Sequence, residues 1–399
     1  MKFSAPVQKY ARIIQRLEAF SPQAVVFFMA MFLSVSVAML AAEAFIYPGG
    51  IANLRWGMDF VPMWLSGSLF HEGGALHLFD PAVMVQRQSL FTQVEGVLLW
   101  HYPPTYQLLV DPLHYLPFYA ALTLWTLLGA GVWVATARVY APVKGALGFL
   151  FVFGAPASAI CLMQGQNGLL TAALLGVALI ARERGNAWLA GLLIALLLSK
   201  PQLGLAIPIA LLAVRDWRTI GATCLFGTAF LAVSLIIYGP ETWLAFFENF
   251  KLVSLAMRSG DLWSQQPGPY ALLSLLGSGH MIAMTGHLFI ALGAATVLWS
   301  IWRRSVPGEL RIAALMTATL LITPFSFRYD MTITLLGLAM LTRHLSERHW
   351  RLGEKSLIAI LWMTPAVMPT VADISMVQIG TIALAVQLWM IWRAAGEAV

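Results

Sequence analysis

Twelve apolar segments recur along the 399-residue chain, and they constrain its fold more than any other feature. A segment of about 20 apolar residues is long enough to cross the hydrocarbon core of a bilayer. Inside that core the backbone must satisfy its own hydrogen bonds, which only helices and closed barrels achieve. The segments are continuously apolar rather than alternating, so they predict helices. The predicted fold class is therefore an all-α polytopic membrane protein.

Composition and charge agree with this fold. Charged residues make up only 11% of the chain, whereas a soluble domain contains about 25%. The net charge of +6 comes mostly from basic residues at segment ends, which is typical of the cytoplasmic ends of membrane spans. The expected partners are therefore membrane lipids and membrane-borne substrates, and no nucleic acid.

The topology follows from the same basic residues. With a cytoplasmic N-terminus, every inside connection carries Lys or Arg, and the C-terminus is cytoplasmic as well. Two predicted spans, 186–199 and 202–214, are short and are expected to form a broken or tilted pair. The full set of predicted spans lies near residues 23–46, 116–138, 143–162, 166–181, 186–199, 202–214, 219–238, 282–302, 309–325, 329–342, 356–371 and 375–392.

The chain divides into a short terminal segment and one membrane domain. Residues 1–20 are predicted to form a cytoplasmic amphipathic segment, and residues 21–399 a single transmembrane domain. Two long external connections, 47–115 and 239–281, contain amphipathic stretches of the kind that lie in the plane of the membrane interface. Neither is long enough for a separate soluble domain, so a functional site must form between helix ends and these connections.

Unusual polar residues gather at the external ends of the segments, although they come from distant parts of the chain. A shared face predicts a shared site, built at the water interface. The candidates are Asp59, Asp80, His101, Tyr102, Gln164, Gln166, Asn167, Lys200, Gln202, Arg328, Tyr329 and Asp330.

The first two carboxylates in this set suit different roles. Asp59 lies near lipid, where a carboxylate is costly unless it is paired or faces a water-filled cavity. It suits a general base that takes a proton from a hydroxyl, or an N-cap for the helix that follows, with Pro62 in the first turn. Asp80 precedes Pro81, a strong N-cap signature that favours capping over ligand binding.

The aromatic and amide residues suit a sugar or a phosphate, and each has a simpler structural alternative. Pro103 and Pro104 stiffen the backbone after His101 and Tyr102 and hold both rings near the interface, where they bind a ligand or serve as an aromatic belt. The amides of the turn that contains Gln164, Gln166 and Asn167 pair well with hydroxyl groups. A simple polar turn explains them equally well.

Two cations lie on the external side, against the positive-inside trend. Lys200 suits an anionic ligand such as a phosphate, or it snorkels to lipid headgroups. Arg328 is a second such cation, which Asp330 either neutralises or joins as a second candidate carboxylate. The sequence contains no P-loop, HExxH, GxSxG or metal-ligand motif. No cofactor is therefore required, and a divalent metal is not implied.

Taken in order, these motifs resemble the GT-C superfamily of membrane glycosyltransferases, and within it the glycosyltransferase 87 family. That family includes polyprenyl-phosphate-mannose-dependent mannosyltransferases. The resemblance spans about residues 50–340. Its motifs are Gly57-Met58-Asp59-Phe60, Gly74 to Leu78-Phe79-Asp80-Pro81, His101-Tyr102-Pro103-Pro104, Gly165-Gln166-Asn167, Lys200-Pro201-Gln202 and Pro324 through Tyr329-Asp330.

The resemblance implies a GT-C-like fold with about 12 transmembrane helices, amphipathic periplasmic loop helices and a periplasmic site in the bacterial inner membrane. It implies a polyprenyl-phosphate-linked donor of mannose, or of another hexose or pentose, and a lipid or glycan acceptor. Asp59 occupies the position of the family's catalytic base, so an inverting transfer is expected. Lys200 and Arg328 would then stabilise the leaving phosphate, and His101 and Tyr102 would orient phosphate or sugar.

Two other classes of protein share the pattern of spans. A polytopic transporter or flippase of lipid-linked sugars needs a polar cavity but cleaves nothing, and a lipid-binding scaffold needs only the amphipathic connections. The two halves of the chain show no clear internal repeat, a feature of many transporters. The charged candidates also lie at one face rather than at the membrane midplane. These observations favour the enzyme.

Overall fold

The computed structural model describes residues 57–90, 98–348 and 350–398 of the chain. Within these ranges the regular secondary structure is entirely helical, which confirms the all-α prediction for this part of the molecule. The predictions for residues 1–20, for the span at 23–46 and for residues 47–56 and 91–97 of the first external connection lie outside the described residues.

Sixteen α-helices follow one another in the described ranges, joined by short loops and 3-10 turns. They are α1 (Val61–Leu78), α2 (Pro81–Gln88), α3 (Pro104–Val110), α4 (Phe118–Tyr140), α5 (Ala146–Phe153), α6 (Pro156–Gln164), α7 (Gly168–Glu183), α8 (Ala187–Leu196), α9 (Ala206–Ala213), α10 (Trp217–Arg258), α11 (Pro269–Leu275), α12 (His280–Arg303), α13 (Gly308–Ile322), α14 (Met331–Ser346), α15 (Glu354–Ser375) and α16 (Ile379–Glu397). Each predicted span from 116–138 onward coincides with a helix or a pair of helices.

Five of these helices are long and apolar enough to cross a membrane: α4, α10 over Trp217–Leu255, α12, α15 and α16. A sixth span is possible if α5 and α6, which are bent by 49° relative to each other, cross together. The protein is therefore a polytopic membrane protein. The count of twelve spans and the GT-C architecture are not confirmed, because helices such as α7 and α13, with 16 and 15 residues, are shorter than a full span.

The predicted pair at 186–199 and 202–214 is broken. Helix α8 ends in the 3-10 turn Leu197–Ser199, and a second 3-10 turn, Pro201–Gly204, precedes α9. Proline cannot donate a backbone hydrogen bond, so Pro201 prevents one continuous helix. Lys200 lies at the break with φ −138° and ψ 69°. Its side chain therefore contacts neighbouring elements instead of lying on the face of a helix.

Hydrophobic burial is divided between two clusters. The larger one surrounds α13 and α14, whose Leu315 and Leu336 are fully buried. The smaller one combines the described part of the first external connection, with Phe60, Leu69 and Tyr106, with the start of α4, with Ala121 and Leu122. The described part of this connection therefore packs against itself and against α4.

The ends that we predicted to be cytoplasmic are joined by contacts of their basic residues. Arg182 at the end of α7 forms an ion pair with Asp216 just before α10, at 2.8 Å. Arg343 near the end of α14 donates to the carbonyls of Val139 and Ala141 at the end of α4. The basic ends therefore lie together, at the end of the helices opposite to the polar residues described below.

Candidate active site

Asp59 lies in the 3-10 turn Met58–Phe60, immediately before α1. Gly57, with φ 73°, precedes the turn, and its N–H donates to the Met163 carbonyl at 2.8 Å. A Cβ on Gly165 would lie 3.0 Å from the Gly57 Cα, so the two glycines allow the turns to touch. The N-cap of α1 is Phe60, so the alternative role of Asp59 as its N-cap is wrong.

A chain of hydrogen bonds connects Asp59 to the turn after α6. The Gln166 side-chain amide donates to Oδ2 of Asp59 at 3.0 Å. The Gln166 side-chain oxygen accepts from the Tyr102 hydroxyl at 3.4 Å and from the Asn167 backbone N–H at 3.3 Å. Because both ends of the Gln166 amide are engaged, its orientation is fixed and the Asp59 carboxylate is held in one position.

The surroundings of Asp59 raise its basicity. Burial raises the pKa of the Asp59 carboxyl, whereas the Gln166 hydrogen bond and the charges of Lys200 and Arg328 lower it by a smaller amount. The net direction is upward. Asp59 is still partly exposed at the surface, so a ligand can reach it, and a carboxylate with a raised pKa is the stronger proton acceptor.

Lys200 is paired with Asp330. Its ammonium group donates to Oδ1 of Asp330 at 2.9 Å, and both side chains are only 4% exposed. Oδ2 of Asp330 accepts from the Phe327 backbone N–H at 3.0 Å, and the ammonium lies 5.1 Å from the centre of the Tyr329 ring. Asp330 therefore neutralises Lys200, and the alternative in which Asp330 neutralises Arg328 is wrong.

Arg328 forms no close ion pair with the described residues of the site. None of the ion pairs in the described ranges includes it, and its buried Nε has no hydrogen-bond partner there. Its charge acts on the carboxylate of Asp59. Since the arginine side chain is protonated at any physiological pH, Arg328 is the cation beside Asp59 that remains available to an anionic ligand.

The aromatic residues of the first connection complete the wall of the site. His101 stacks on Tyr102 with a ring-centre distance of 4.4 Å, and its Nδ1 lies 3.0 Å from the Leu99 carbonyl. Burial lowers the pKa of His101, so the imidazole is neutral at pH 7. Burial, and then the charge of Asp330, raise the pKa of Tyr102 well above its usual value. Tyr102 is therefore a neutral phenol that donates to Gln166.

Asn167 has unsatisfied polar atoms. Its side chain is buried beside the hydroxyls of Tyr102 and Tyr106. Neither its amide nitrogen nor its oxygen forms a hydrogen bond of standard geometry with the described residues, and the Tyr102 and Tyr106 hydroxyls interact with it through longer or less well-aligned contacts. An unpaired buried amide is costly, and a ligand hydroxyl would satisfy both its donor and its acceptor.

Three predicted site residues are not brought into this cluster. Asp80 is exposed, and its Oδ1 accepts from the Ala82 N–H at 2.8 Å, which confirms that it caps α2. Gln164 ends α6 with a buried, unpartnered Oε1, and Gln202 lies partly exposed in the 3-10 turn after Lys200. Within the described ranges, no hydrogen bond connects any of the three with Asp59 or Lys200. Their roles in binding stay predictions.

Trp125 is a site residue that the sequence did not indicate. Its indole N–H donates to the Gly165 carbonyl at 3.1 Å and so holds the turn that carries Gln166. Trp125 lies inside the apolar helix α4, where a tryptophan looks like any other membrane-facing residue. The only sequence signal nearby is the glycine at position 165. In the structure its φ is 68°, a backbone conformation that glycine favours.

Fold and site together define a membrane-embedded protein. The carboxylate of Asp59, the cation of Arg328 and the buried amide of Asn167 lie at one end of its helices. The family model of glycosyltransferase family 87 matches residues 100–324, more than half of the chain. The chain therefore belongs to glycosyltransferase family 87, as the motifs predicted, and it is a glycosyltransferase. The matched region contains Tyr102, Gln166 and Lys200, whereas Asp59 and Arg328 lie outside it. No curated protein and no solved structure matches the chain.

Proposed function

We propose that the protein transfers a sugar from a polyprenyl-phosphate donor to a hydroxyl group of a lipid or glycan acceptor, with Asp59 as the general base. The site is proposed to face the periplasm of a bacterial inner membrane, with both chain termini in the cytoplasm. Mannose is the first donor sugar to test, followed by other hexoses and pentoses. No cofactor takes part in the transfer step.

The observation that carries this proposal is the setting of Asp59. Its carboxylate has a raised pKa, is held by Gln166 and is reachable from the surface. A base of this kind accepts the proton of an attacking hydroxyl more readily than an ordinary aspartate does. The charge of Arg328 acts on this carboxylate, which supports a site where a base and an anion-stabilising cation work together.

The transfer is a single displacement. The acceptor oxygen forms a bond to the anomeric carbon while its proton passes to Asp59. The bond from that carbon to the phosphate oxygen breaks, and its electron pair leaves with the polyprenyl phosphate. One displacement from the opposite side inverts the anomeric configuration, as in inverting glycoside chemistry.

The leaving phosphate needs charge stabilisation rather than a proton. Arg328 supplies it in this proposal, because its guanidinium forms no close ion pair with a carboxylate among the described residues and interacts with Asp59 at longer range. A fixed cation aimed at developing charge is a large contribution to catalysis. Lys200, which is neutralised by Asp330, instead positions Tyr329 and the turn that carries Arg328.

The sugar is proposed to lie against the amide and aromatic wall. Asn167 offers an amide nitrogen and an amide oxygen that form no hydrogen bond of standard geometry with the described residues, a pattern that matches adjacent sugar hydroxyls. His101, which is neutral and stacked on Tyr102, offers a ring face and a hydrogen-bonding nitrogen without adding charge.

The test is transfer by purified protein in nanodiscs from radiolabelled polyprenyl-phosphate-mannose to a membrane lipid extract. The wild type is expected to release polyprenyl phosphate and to form a labelled glycolipid. The transfer rate of Asp59→Asn is expected to be about 100- to 10,000-fold lower, because a general base usually contributes a factor of this size. Asp261→Asn, which changes an exposed carboxyl of the second external connection, is the matched control and should keep the wild-type rate.

Two outcomes would overturn the proposal. Wild-type turnover by Asp59→Asn would exclude Asp59 as the base. Donor that binds or crosses the bilayer intact, with no cleavage under any acceptor condition, would favour a flippase for lipid-linked sugars. The same assay with other polyprenyl-phosphate sugars separates a wrong sugar from a wrong class of reaction.

A further inference from the structure

Three side chains that are typical metal ligands meet in the first external connection. His71 lies on α1, and Asp111 and His114 lie in the 3-10 turn Asp111–Tyr115 that follows α3. One ligand atom from each residue lies within 4.8 Å of those of the other two. We propose that they form a binding site for a divalent transition metal, with Zn²⁺ the ion that fits best. This site is separate from the transfer chemistry and does not depend on the proposed function.

The spacing of the ligand atoms suits a zinc ion. With bonds of about 2.0–2.1 Å, a tetrahedral zinc site holds its ligand atoms about 3.3 Å apart. His71 Nε2 and Asp111 Oδ2 are already 3.2 Å apart. The His114 ring lies beside the His71 ring, with their centres 4.8 Å apart. Small side-chain rotations therefore bring all three ligands onto one ion.

Neighbouring groups orient these ligands. The Nδ1–H of His114 donates to the Asp111 carbonyl, which assigns the tautomer and leaves Nε2 with its lone pair. The Gln107 side-chain amide donates to Oδ1 of Asp111 at 3.2 Å and leaves Oδ2 directed at His71. Metal-binding histidines and carboxylates usually have such second partners, which fix their orientation.

The backbone of α1 is adapted to this contact. Gly67 lies one turn before His71, and a Cβ at this position would overlap the His114 ring and lie 2.9 Å from the Asp111 carbonyl. Only a glycine therefore lets the 3-10 turn approach the helix this closely. The His71 side chain is 46% exposed, while those of Asp111 and His114 are 17% and 11% exposed. An ion can enter from water on the His71 side.

The site connects the two segments that carry the proposed catalytic residues. Helix α1 begins directly after the turn of Asp59, and α3 begins directly after His101 and Tyr102. His71 is about 18 Å along the helix from Asp59, at 1.5 Å per residue. The ion would therefore act as a clamp between α1 and the 3-10 turn, and water would fill the fourth coordination position that three protein ligands leave open.

The sequence alone did not reveal this site, and no divalent metal was expected. His71 and Asp111 are 40 residues apart, and the pair Asp111 and His114 is too short a pattern to predict a ligand set. Only the contact of α1 with the 3-10 turn brings the three side chains together.

The experiment uses the full chain purified in detergent, stripped with EDTA and passed through a desalting column before Zn²⁺ is titrated. Bound zinc is measured by mass spectrometry, and Co²⁺ absorption reports the coordination geometry. The wild type is expected to bind about one ion per chain, and His71→Ala and Asp111→Asn to bind at least about 10- to 100-fold more weakly. His77→Ala removes an exposed histidine from the same helix, and it should bind zinc like the wild type.

A second measurement separates specific binding from misfolding. Zinc should raise the thermal unfolding midpoint of the wild type and of His77→Ala, because an ion that binds only the folded state stabilises it. It should not do so for His71→Ala, whose half-exposed side chain can be removed without disturbing the core. A wild type that retains no zinc, or a His71→Ala protein that is stabilised as much as the wild type, would overturn the proposal. Neither readout depends on sugar transfer.

Discussion

Gln387 in the middle of the helical bundle and Asn167 at the end that carries Asp59 are both buried amide side chains, but their surroundings differ. The Gln387 amide donates to the Thr317 hydroxyl at 2.8 Å and to the Thr334 carbonyl at 2.9 Å, and it ties α16 to α13 and α14. The Asn167 amide forms no hydrogen bond of standard geometry with the described residues. A buried polar group costs free energy unless it is satisfied, so the first amide stabilises the fold, whereas the second is the one that we propose binds the sugar.

The charges near Asp59 show the same division. Lys200 and Asp330 satisfy each other in a buried pair, whereas Arg328 has no such ion-pair partner within the described ranges and its charge acts on Asp59. Two cations that looked equivalent in the sequence therefore have different surroundings, and we propose different roles for them, one in the fold and one at the site. Measuring stability and transfer on the same variants separates the two roles.

The largest effect is expected at the buried ion pair. Lys200→Met leaves the Asp330 carboxylate buried without a counter-charge, which typically costs about 3–5 kcal/mol of unfolding free energy. The thermal midpoint in detergent should therefore fall sharply. The double variant Lys200→Met/Asp330→Asn removes both charges and should recover most of the loss. If Lys200→Met unfolds at the wild-type temperature, the pair does not stabilise the fold.

Arg328→Gln should affect transfer and leave stability unchanged. Loss of a cation that stabilises the leaving phosphate is expected to lower kcat about 100- to 1,000-fold, while the thermal midpoint stays within error because no ion pair is broken. Arg328→Lys should restore part of kcat. The control is Arg87→Gln, which removes an exposed arginine paired with Glu72 in the same external connection. A large drop in the midpoint of Arg328→Gln would assign Arg328 to the fold.

Gln387→Leu should show the opposite pattern. The variant loses two hydrogen bonds and leaves the Thr334 carbonyl without this donor, at a cost of about 1–3 kcal/mol. The thermal midpoint should fall, while transfer per folded molecule, measured after gel filtration, stays at the wild-type value. A selective loss of transfer would show that the bundle centre also contributes to the reaction.

A smaller effect is expected for Asn167→Ala. Because this amide forms no hydrogen bond of standard geometry with the described residues, the midpoint should not fall. A lost hydrogen bond to the sugar is worth about 0.5–1.5 kcal/mol, which corresponds to a rise in KM of up to about tenfold. Unchanged KM values for donor and acceptor, together with a lower midpoint, would place Asn167 in the fold.

The smallest expected change is in the pH dependence of transfer. Asp59 must be ionised to accept a proton, and its pKa is raised by burial. An ordinary aspartate has a pKa of about 3.9. The transfer rate should therefore begin to fall, as the pH is lowered, at a higher pH than an ordinary aspartate would give. Gln166→Ala removes a hydrogen bond that favours the ionised form, so the acid limb should move to still higher pH. A shift to lower pH would contradict the assigned contact.

Local patterns of residues predicted much of the fold correctly. The apolar segments from 116–138 onward coincide with helices or helix pairs, and Asp80 caps α2 as its Asp-Pro sequence indicated. The predicted number of twelve spans is not confirmed, because hydropathy counts apolar residues without measuring the length of each helix. Helix α13 is apolar because protein surrounds it, with Leu315 and Met316 fully buried.

The sequence by itself determined that the chain is a helical membrane protein, which family it belongs to, and at which end of its helices the polar residues gather. These properties depend on local composition and order along the chain. The tertiary structure decided which charges cancel and which remain. Lys200 and Asp330 are 130 residues apart, and Asp59 and Gln166 are 107 apart. The energy of a buried charge depends on atoms within a few ångströms of it, and only the folded chain brings those atoms together.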